Sequence, residues 1–445
     1  MPEKVYFISL GCAKNRVDSE VMLGRLEGRG FRLTGEPQEA EVVIVNTCSF
    51  IQSAVEESIE TILEAARLKK EGACRVLGVA GCLPQRYQGA LAGDLPEVDF
   101  FIGTDSFWHL PERIEQALAG KAGPVLDLAP NRELWTRPWE RTLTTPPGTA
   151  FLKIAEGCSN RCAYCTIPDI RGPFRSRDPE TILREAEDLG RRGVQELVVV
   201  AQDSTAYGRD LPVPYSLSRL IADLAEIEPV RWLRLMYLRP ERITLELLET
   251  LAGLDKVCPY LDIPIQHVSA RVLRAMNRPY RKADLRKLFN RIRRSWPQSA
   301  LRTTVMVGFP GEGDREFQEL LEFVREIEFE HLGVFRYSPE EGTPAAALPG
   351  RADRRTSRKR HDRLMALQKE ISLKKNRELI GRVEPVLVTG PSSESEWLLE
   401  GRTRFQAPEV DGVVYITDGN PVIGEINSVR INEAHAYDLV GAVLS

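Results

Sequence analysis

Three cysteines crowd one short stretch of the chain, AEGCSNRCAYC, where Cys158, Cys162 and Cys165 have the spacing Cys-x-x-x-Cys-x-x-Cys. Thiolates are ligands for soft metals and iron–sulfur clusters. A [4Fe–4S] cluster normally takes four thiolates, so a site with three leaves one iron open to a small ligand. Zinc would need a fourth Cys or His at zinc spacing, and none follows. The trio comes just after the strand-like run AFLKIAEG. In parallel βα structures the loops at strand C-terminal ends carry the chemistry.

A second set is dispersed. Cys12 follows KVYFISLG, Cys48 ends EVVIVNT and Cys82 ends RVLGVAG. All three stand at the C-terminal ends of strand-like runs, which in an open parallel sheet face one crevice. Three small buried core residues would be the plain alternative, since free Cys is often buried. The matching positions favour a second iron–sulfur cluster. Cys74 and Cys258 precede their strands and read as structural.

The elements that must position these thiols form an α/β chain. In the first part, strand-like runs (KVYFISLG, EVVIVNTC, RVLGVAGC, FFIG) alternate with helix-like segments such as 17–27 and 53–70, implying an open parallel sheet. Residues 121–148, rich in Pro, Thr and Trp, read as a linker. Six further strand candidates follow: AFLKIAEG, ELVVVAQD, RWLRLMYL, YLDIPIQ, LRTTVMVGFPG and HLGVFRYS. With helical patterns between them they give a partial (β/α)6 barrel of the TIM type, short of eight units. A basic helical connector spans 351–380, and short β-rich runs over 381–445 predict a small all-β barrel. The domains expected are thus 1–120, the linker 121–148, the barrel 149–350, the connector 351–380 and the β barrel 381–445.

The chain has 445 residues, 42% of them hydrophobic and 28% charged, a composition that buries cores without staples. A formal net charge of -4 points to no partner. The apolar run after Lys4 is too short for a signal peptide, and no stretch is long enough to cross a bilayer, so a cytoplasmic protein is expected. In a reducing compartment eight cysteines are poor candidates for disulfides.

The cysteine loop, with the aromatic Tyr164 before its last Cys, resembles the radical S-adenosylmethionine (SAM) superfamily. ISLGCAKNRVDSE, VNTCSF and the later AGC resemble the methylthiotransferase family, and the last part resembles a TRAM domain. The resemblance covers nearly the whole chain. AQDSTAYG, DGVVYI and YDLVGAV are similar to the branch that modifies an aspartate of the twelfth small-subunit ribosomal protein. The tRNA-modifying branch typically has a GQNV-like stretch where this chain has AQDS. The resemblance implies that Cys158, Cys162 and Cys165 hold a cluster whose open iron chelates SAM. Reductive cleavage of SAM would yield a radical that takes a hydrogen from the β-carbon of aspartate. A second [4Fe–4S] cluster on Cys12, Cys48 and Cys82 would present sulfur, and a second SAM the methyl group. No catalytic residue beyond the cluster ligands is expected, and His267 reads as structural. Candidate SAM contacts at strand ends are Tyr164, Gln202, Asp203, Arg239, Gln266, Gly308 and Gly311.

Residues 381–445 hold four basic and ten acidic side chains. RNA binding needs basic patches, whereas an acidic module suits a basic partner such as a ribosomal protein. A merely solvated acidic surface is the plain alternative. The basic run 351–377 reads as a ribosomal RNA contact or, since charge runs are usually solvated, as a charged helix packing through Leu364, Leu367 and Ile371. Two other functions stay open: a tRNA methylthiotransferase with the same chemistry, and a non-catalytic iron–sulfur or RNA-binding adaptor.

Overall fold

The computed structural model describes residues 3–120, 125–129, 140–395 and 397–444. The chain divides into two compact units, Met1–Thr144 with Ala155–Asn160 and Cys165–Thr181, and Thr145–Ile154 with Arg161–Tyr164 and Ile182–Ser445.

The first unit is a six-stranded sheet with strands β1 (Lys4–Ser9), β2 (Arg32–Leu33), β3 (Val42–Thr47), β4 (Val76–Gly81), β5 (Phe100–Ile102) and β6 (Val125–Asp127). Its order is β2-β1-β3-β4-β5-β6, and every pairing is parallel. The central strands VVIVNT and VLGVAG are buried at every position, as expected where helices cover both faces of a parallel sheet. Strands β2 and β6 are two and three residues long, too short for a sequence period to show. Strand β6 lies inside the stretch read from sequence as a linker; 121–124 and 130–139 of that stretch lie outside the described residues. Its far end is stitched down by one buried carboxylate, since Glu20 accepts from Arg141 Nε at 3.2 Å and from Thr144 N at 2.8 Å. A small antiparallel ribbon, β8 (Ala155–Glu156) with β9 (Arg175–Ser176), completes this unit.

The second unit holds a six-stranded parallel sheet of β7 (Thr149–Lys153), β10 (Glu196–Val200), β11 (Trp232–Leu235), β12 (Val257–Asp262), β13 (Ala300–Val307) and β14 (His331–Arg336). The order β14-β13-β12-β11-β10-β7 is that of consecutive βα units. The intervening helices are amphipathic: Asp314–Ile327 buries Phe317, Leu320, Leu321 and Val324, the i, i+3, i+4, i+7 stripe of a helix on a sheet. Cys258 lies inside β12 rather than before it, fully buried, because the strand begins three residues earlier than its apolar run suggested.

Helix Arg354–Arg377 packs through Leu364 and Ile371, with Leu367 only partly covered. Gln368 and Ser372 add hydrogen bonds to the carbonyls of Phe329 and Glu330. The last segment is a closed barrel of β15 (Val383–Pro391), β16 (Leu399–Thr403), β17 (Val414–Asp418), β18 (Ile426–Ala434) and β19 (Leu439–Val443). Its core is Val386, Val388, Val414, Ile416, Val429, Ile431 and Leu439. Strand β19, with the small residues Gly441 and Ala442, gave no sequence signal.

The small barrel docks on the N-terminal ends of the large sheet. Glu196, first residue of β10, accepts from Arg234 Nε at 2.7 Å and from Arg402 Nη2 at 2.6 Å, all three side chains buried. Burial alone would raise the Glu196 carboxyl, but Arg402 and Arg234 hold it below the usual range. Tyr260 donates to Asp411 at 2.6 Å, and His331 Nε2 is 2.7 Å from the Phe405 carbonyl. Among the described residues no helix is long and apolar enough to cross a membrane. Removing one partner of a buried ion pair leaves an uncompensated charge, at a cost of about 3–5 kcal/mol. Glu196→Leu should lose stability on that scale in denaturant titrations and expose the C-terminal barrel to limited proteolysis.

Candidate functional site

In the first unit the parallel register sets the thiols side by side. Ser9 pairs with Asn46 and Asn46 with Ala80, so β1, β3 and β4 end at one level. Neighbouring strands lie about 4.8 Å apart. Cys12 follows β1 and caps helix Ala13–Gly28, Cys48 follows β3, and Cys82 opens the helical turn after β4. Cys48 and Cys82 are buried, while Cys12 is exposed. Gly11, at φ +92°, brings the turns together: a Cβ there would lie 2.7 Å from Cys48 Cβ and 3.1 Å from its Sγ.

Polar side chains fix these turns. Asn15 Nδ2 donates to the Leu10 carbonyl at 2.6 Å, and Asn46 Nδ2 to the Asn15 carbonyl at 3.1 Å and Ser19 Oγ at 2.7 Å. Thr47 Oγ1 donates to the Ala80 carbonyl at 2.6 Å and Ser58 Oγ to the Cys48 carbonyl at 2.8 Å. The thiols act on one another. Burial and then the nearby Cys12 raise the Cys48 thiol, and burial pushes Cys82 up to about 12 against the pull of Arg171. For Cys12 the surrounding protein would raise the thiol, but Lys14, Arg171 and backbone N–H groups bring it below its ordinary value. Among the described residues no three His, Cys, Asp or Glu side chains form a compact shell for a single ion, whose thiolates must sit about 2.3 Å from it in the case of zinc. Soft donors at three adjacent strand ends, two buried and one exposed, each on a braced turn, fit a broader sulfur-bridged cluster.

The Cys-x-x-x-Cys-x-x-Cys loop is divided: Cys158 and Cys165 belong to the first unit, Cys162 to the second. Cys158 N donates to the Gly172 carbonyl at 3.0 Å, and Asn160 Nδ2 lies 3.2 Å from Cys158 Sγ. In the second unit Arg239 Nη1 donates to Cys162 Sγ at 3.4 Å while its Nε pairs with Glu241 at 2.6 Å. Tyr164 accepts from Arg278 at 3.0 Å and meets Phe309 edge-on at 6.3 Å.

The remaining candidates fall at the C-terminal ends of the second unit's strands, though not in equivalent roles. Gln202 and Asp203 follow β10. Asp203 is turned to Arg242 and to Thr205 Oγ1, and so braces its loop. Gln266, at φ +63°, is tied through its backbone to Thr304 and Met306 of β13. Gly308, at φ +77°, has Ser357 Oγ 2.2 Å from where a Cβ would be. Glu312 accepts from the Gly308 and Phe309 amides, and Arg360 Nη1 donates to its carbonyl at 2.9 Å. Gly311 N donates to the Gly350 carbonyl at 3.1 Å. His267 is fully buried, accepts from Ser269 N at 3.0 Å, and is held down at about 3 by burial and then Arg360, so it stays neutral. Sequence reading missed Asn15, Asn46, Arg171, Glu312 and Arg360. Only Asn46, a polar residue ending an apolar strand, carried a signal.

Sequence profiles match in chain order: the uncharacterized protein family UPF0004 over residues 4–103, the radical SAM superfamily over 152–324 and the TRAM domain over 380–444. Solved structures share the fold. A radical S-adenosylmethionine methyltransferase, TsrM, from Kitasatospora setae with cobalamin and a [4Fe–4S] cluster bound matches with a TM-score of 0.59 at 15% identity, covering 78% of this chain and 74% of that one. The cobalamin-dependent radical enzyme OxsB matches at 0.53 and 12% identity, over 83% of this chain and 56% of its own. Profile and strand-end cysteine loop together define a radical SAM protein, a class that uses iron–sulfur and SAM chemistry. Relatives named ribosomal protein uS12 methylthiotransferase RimO include one from Geobacter sulfurreducens, 48% identical over 100% of this chain and 99% of its own, and one from Pelobacter propionicus, 46% identical over 99% and 98%. The chain belongs to this RimO family of methylthiotransferases.

Gly11→Val forces a side chain into Cys48 from a left-handed backbone position, and overpacking of this kind typically costs about 1–3 kcal/mol. In protein whose Cys158, Cys162 and Cys165 are replaced by Ala, it should markedly lower the iron and sulfide retained after anaerobic reconstitution. Burial pushes Glu312 up to about 7, against the pull of Arg360 and two amides. The folded state then holds the proton more tightly than the unfolded chain, so this carboxyl's contribution is full below about pH 4.5 and is lost as pH rises through about 7. Melting scans should show Glu312→Gln gaining on the wild type between those pH values; a constant difference would contradict the shift.

Proposed function

We propose that this chain adds a methylthio group to the β-carbon of an aspartate in ribosomal protein uS12, using SAM and two [4Fe–4S] clusters. The observation that carries the two-cluster reading is the alignment of Cys12, Cys48 and Cys82 at the ends of three adjacent parallel strands, in a chain that also has the Cys158, Cys162, Cys165 loop. Labour divides along the chain: a cluster domain over 1–120, a linker to 148, the radical SAM barrel over 149–350, the connector to 380 and the TRAM barrel from 381.

When bound, these groups supply the hydrogen abstraction, the sulfur and the methyl group. The protein's own part is to hold and orient. Each cysteine trio, holding a [4Fe–4S] cluster, would leave one iron without a protein thiolate. Arg239, beside Cys162 and steadied by Glu241, offers a guanidinium to the SAM carboxylate. Gly308 and Gly311 let the backbone approach a ligand closely. Gln202 and Gln266 supply polar edges, Asp203 fixes its loop, and Tyr164 walls the site. The neutral, buried His267 fits a reaction that needs no acid–base pair.

The partner is a basic protein met by an acidic surface. Arg402 is spent on Glu196, and Arg404 Nη2 donates to the Val257 carbonyl. Asp411 is the one acidic group of the segment turned to Tyr260. With Arg402 and Asp411 both turned inward, the rest of the segment keeps the acidic excess of the sequence count. The packing of Leu364 and Ile371 favours the connector as a structural helix over an RNA-binding one. Among such soluble ribosome-modifying enzymes a cytoplasmic location follows.

Anaerobic reconstitution should load about eight irons per chain, and Cys12, Cys48 and Cys82 changed together to Ala should halve that while sparing 5′-deoxyadenosine formation. With SAM, sulfide and reductant, intact mass should show uS12 gaining a methylthio group. A mark on tRNA instead would favour the tRNA branch, and absence of 5′-deoxyadenosine from the wild type would favour a non-catalytic adaptor.

A further inference from the structure

Within the first unit, Arg171 stands at the end of the short helix Ile167–Arg171, six residues after Cys165, with its side chain only 2% exposed. Its Nη1 donates to Asp18 Oδ2 and Glu156 Oε2, each at 2.9 Å. Its Nη2 donates to Asn15 Oδ1 at 3.1 Å and to Cys82 Sγ at 3.4 Å. These partners are not a random set. Asn15 and Asp18 belong to the helix that starts after Cys12, and Cys82 is itself a candidate ligand. Glu156 lies two residues before Cys158. One buried cation therefore touches two of the three strand-end turns and both flanks of the other cysteine loop. Its two carboxylates do not exhaust it, since a guanidinium has five N–H donors in a fixed fork. The nitrogen facing Cys82 is bonded to neither carboxylate.

We infer that Arg171 is a positioning residue shared by the two cysteine sets, whose guanidinium hydrogen-bonds the Cys82 sulfur and sets the reduction potential of the cluster on Cys12, Cys48 and Cys82. The inference rests on the reading of those three cysteines as cluster ligands. Hydrogen bonds to ligand sulfur and nearby positive charge stabilise the more negative, reduced cluster and so raise its potential. The same fork keys the Cys158–Cys165 loop, through Glu156 and Arg171, to the helix after Cys12. Lysine would keep the charge but not the fork. Glutamine would lose both the charge and the fork.

The test uses full-length protein with Cys158, Cys162 and Cys165 changed to Ala, reconstituted anaerobically so that one cluster gives the signal. Potentiometric titration followed by electron paramagnetic resonance should place Arg171→Lys below the parent and Arg171→Gln lower again. The expected size for Arg171→Gln is at least tenfold in the one-electron equilibrium constant, about 59 mV. If Arg171→Gln does not fold, the lysine variant still decides. A second measurement needs no loss of stability: protein labelled with 15N-arginine should show a nitrogen coupling to the reduced cluster, and Arg171→Lys should abolish it. Equal potentials at equal iron content, or no arginine coupling in the parent, would overturn the inference. Failure of the parent to take up iron on the strand-end trio would instead sink the two-cluster reading, and the role of Arg171 with it.

Discussion

Everything in the first unit depends on the parallel register of β1, β3 and β4. Thiols at positions 12, 48 and 82 meet only because three strands start from different places in the sequence and stop at one level. A one-residue slip of β3 would turn its side chains to the other face and carry Cys48 with them. The constraint is reinforced where it is most vulnerable, at the strand ends. There Asn15, Asn46, Thr47 and Ser58 hold the turns by hydrogen bonds to neighbouring backbone. These polar groups lie in an otherwise apolar sheet, where an unmade hydrogen bond costs about 1–3 kcal/mol. They specify one arrangement of the turns rather than simply adding stability.

Buried charges do related work across the chain. Glu20 gathers Arg141 and Thr144, Arg171 gathers Asp18 and Glu156, and Glu196 gathers Arg234 and Arg402. In each case one ion joins segments far apart in sequence. A buried ion pair is a poor source of net stability but a costly thing to break, so such pairs act against alternative dockings.

The second unit separates chemistry from attachment. The candidate SAM contacts lie where the strands end. The TRAM barrel fastens where they begin, through Glu196, Thr149 and His331. The helix Arg354–Arg377 runs between the two, with Arg360 on the Gly308–Glu312 turn and Asn376 on the His435 carbonyl. The TRAM barrel is thus anchored away from the strand ends of this unit, leaving the loops there clear.

The sequence by itself determined the elements and the candidate thiols. Apolar runs of five to eight residues ending in Cys or followed by a cysteine loop give both the strands and the side of the sheet that carries the thiols, because chain direction fixes which end of a parallel strand is which. It also gave the order of the domains, and it placed Cys74 outside the trio. It gave no sign of β2, β6 or β19, which are too short or too poor in large apolar residues to show a period. It could not show that Asp203 faces Arg242 or that Arg171 reaches Cys82. Those facts were decided only by tertiary structure. Side-chain partners across tens of residues depend on how strands pair and helices pack, and a buried arginine and an exposed one are the same letter until the fold supplies the acceptors around it.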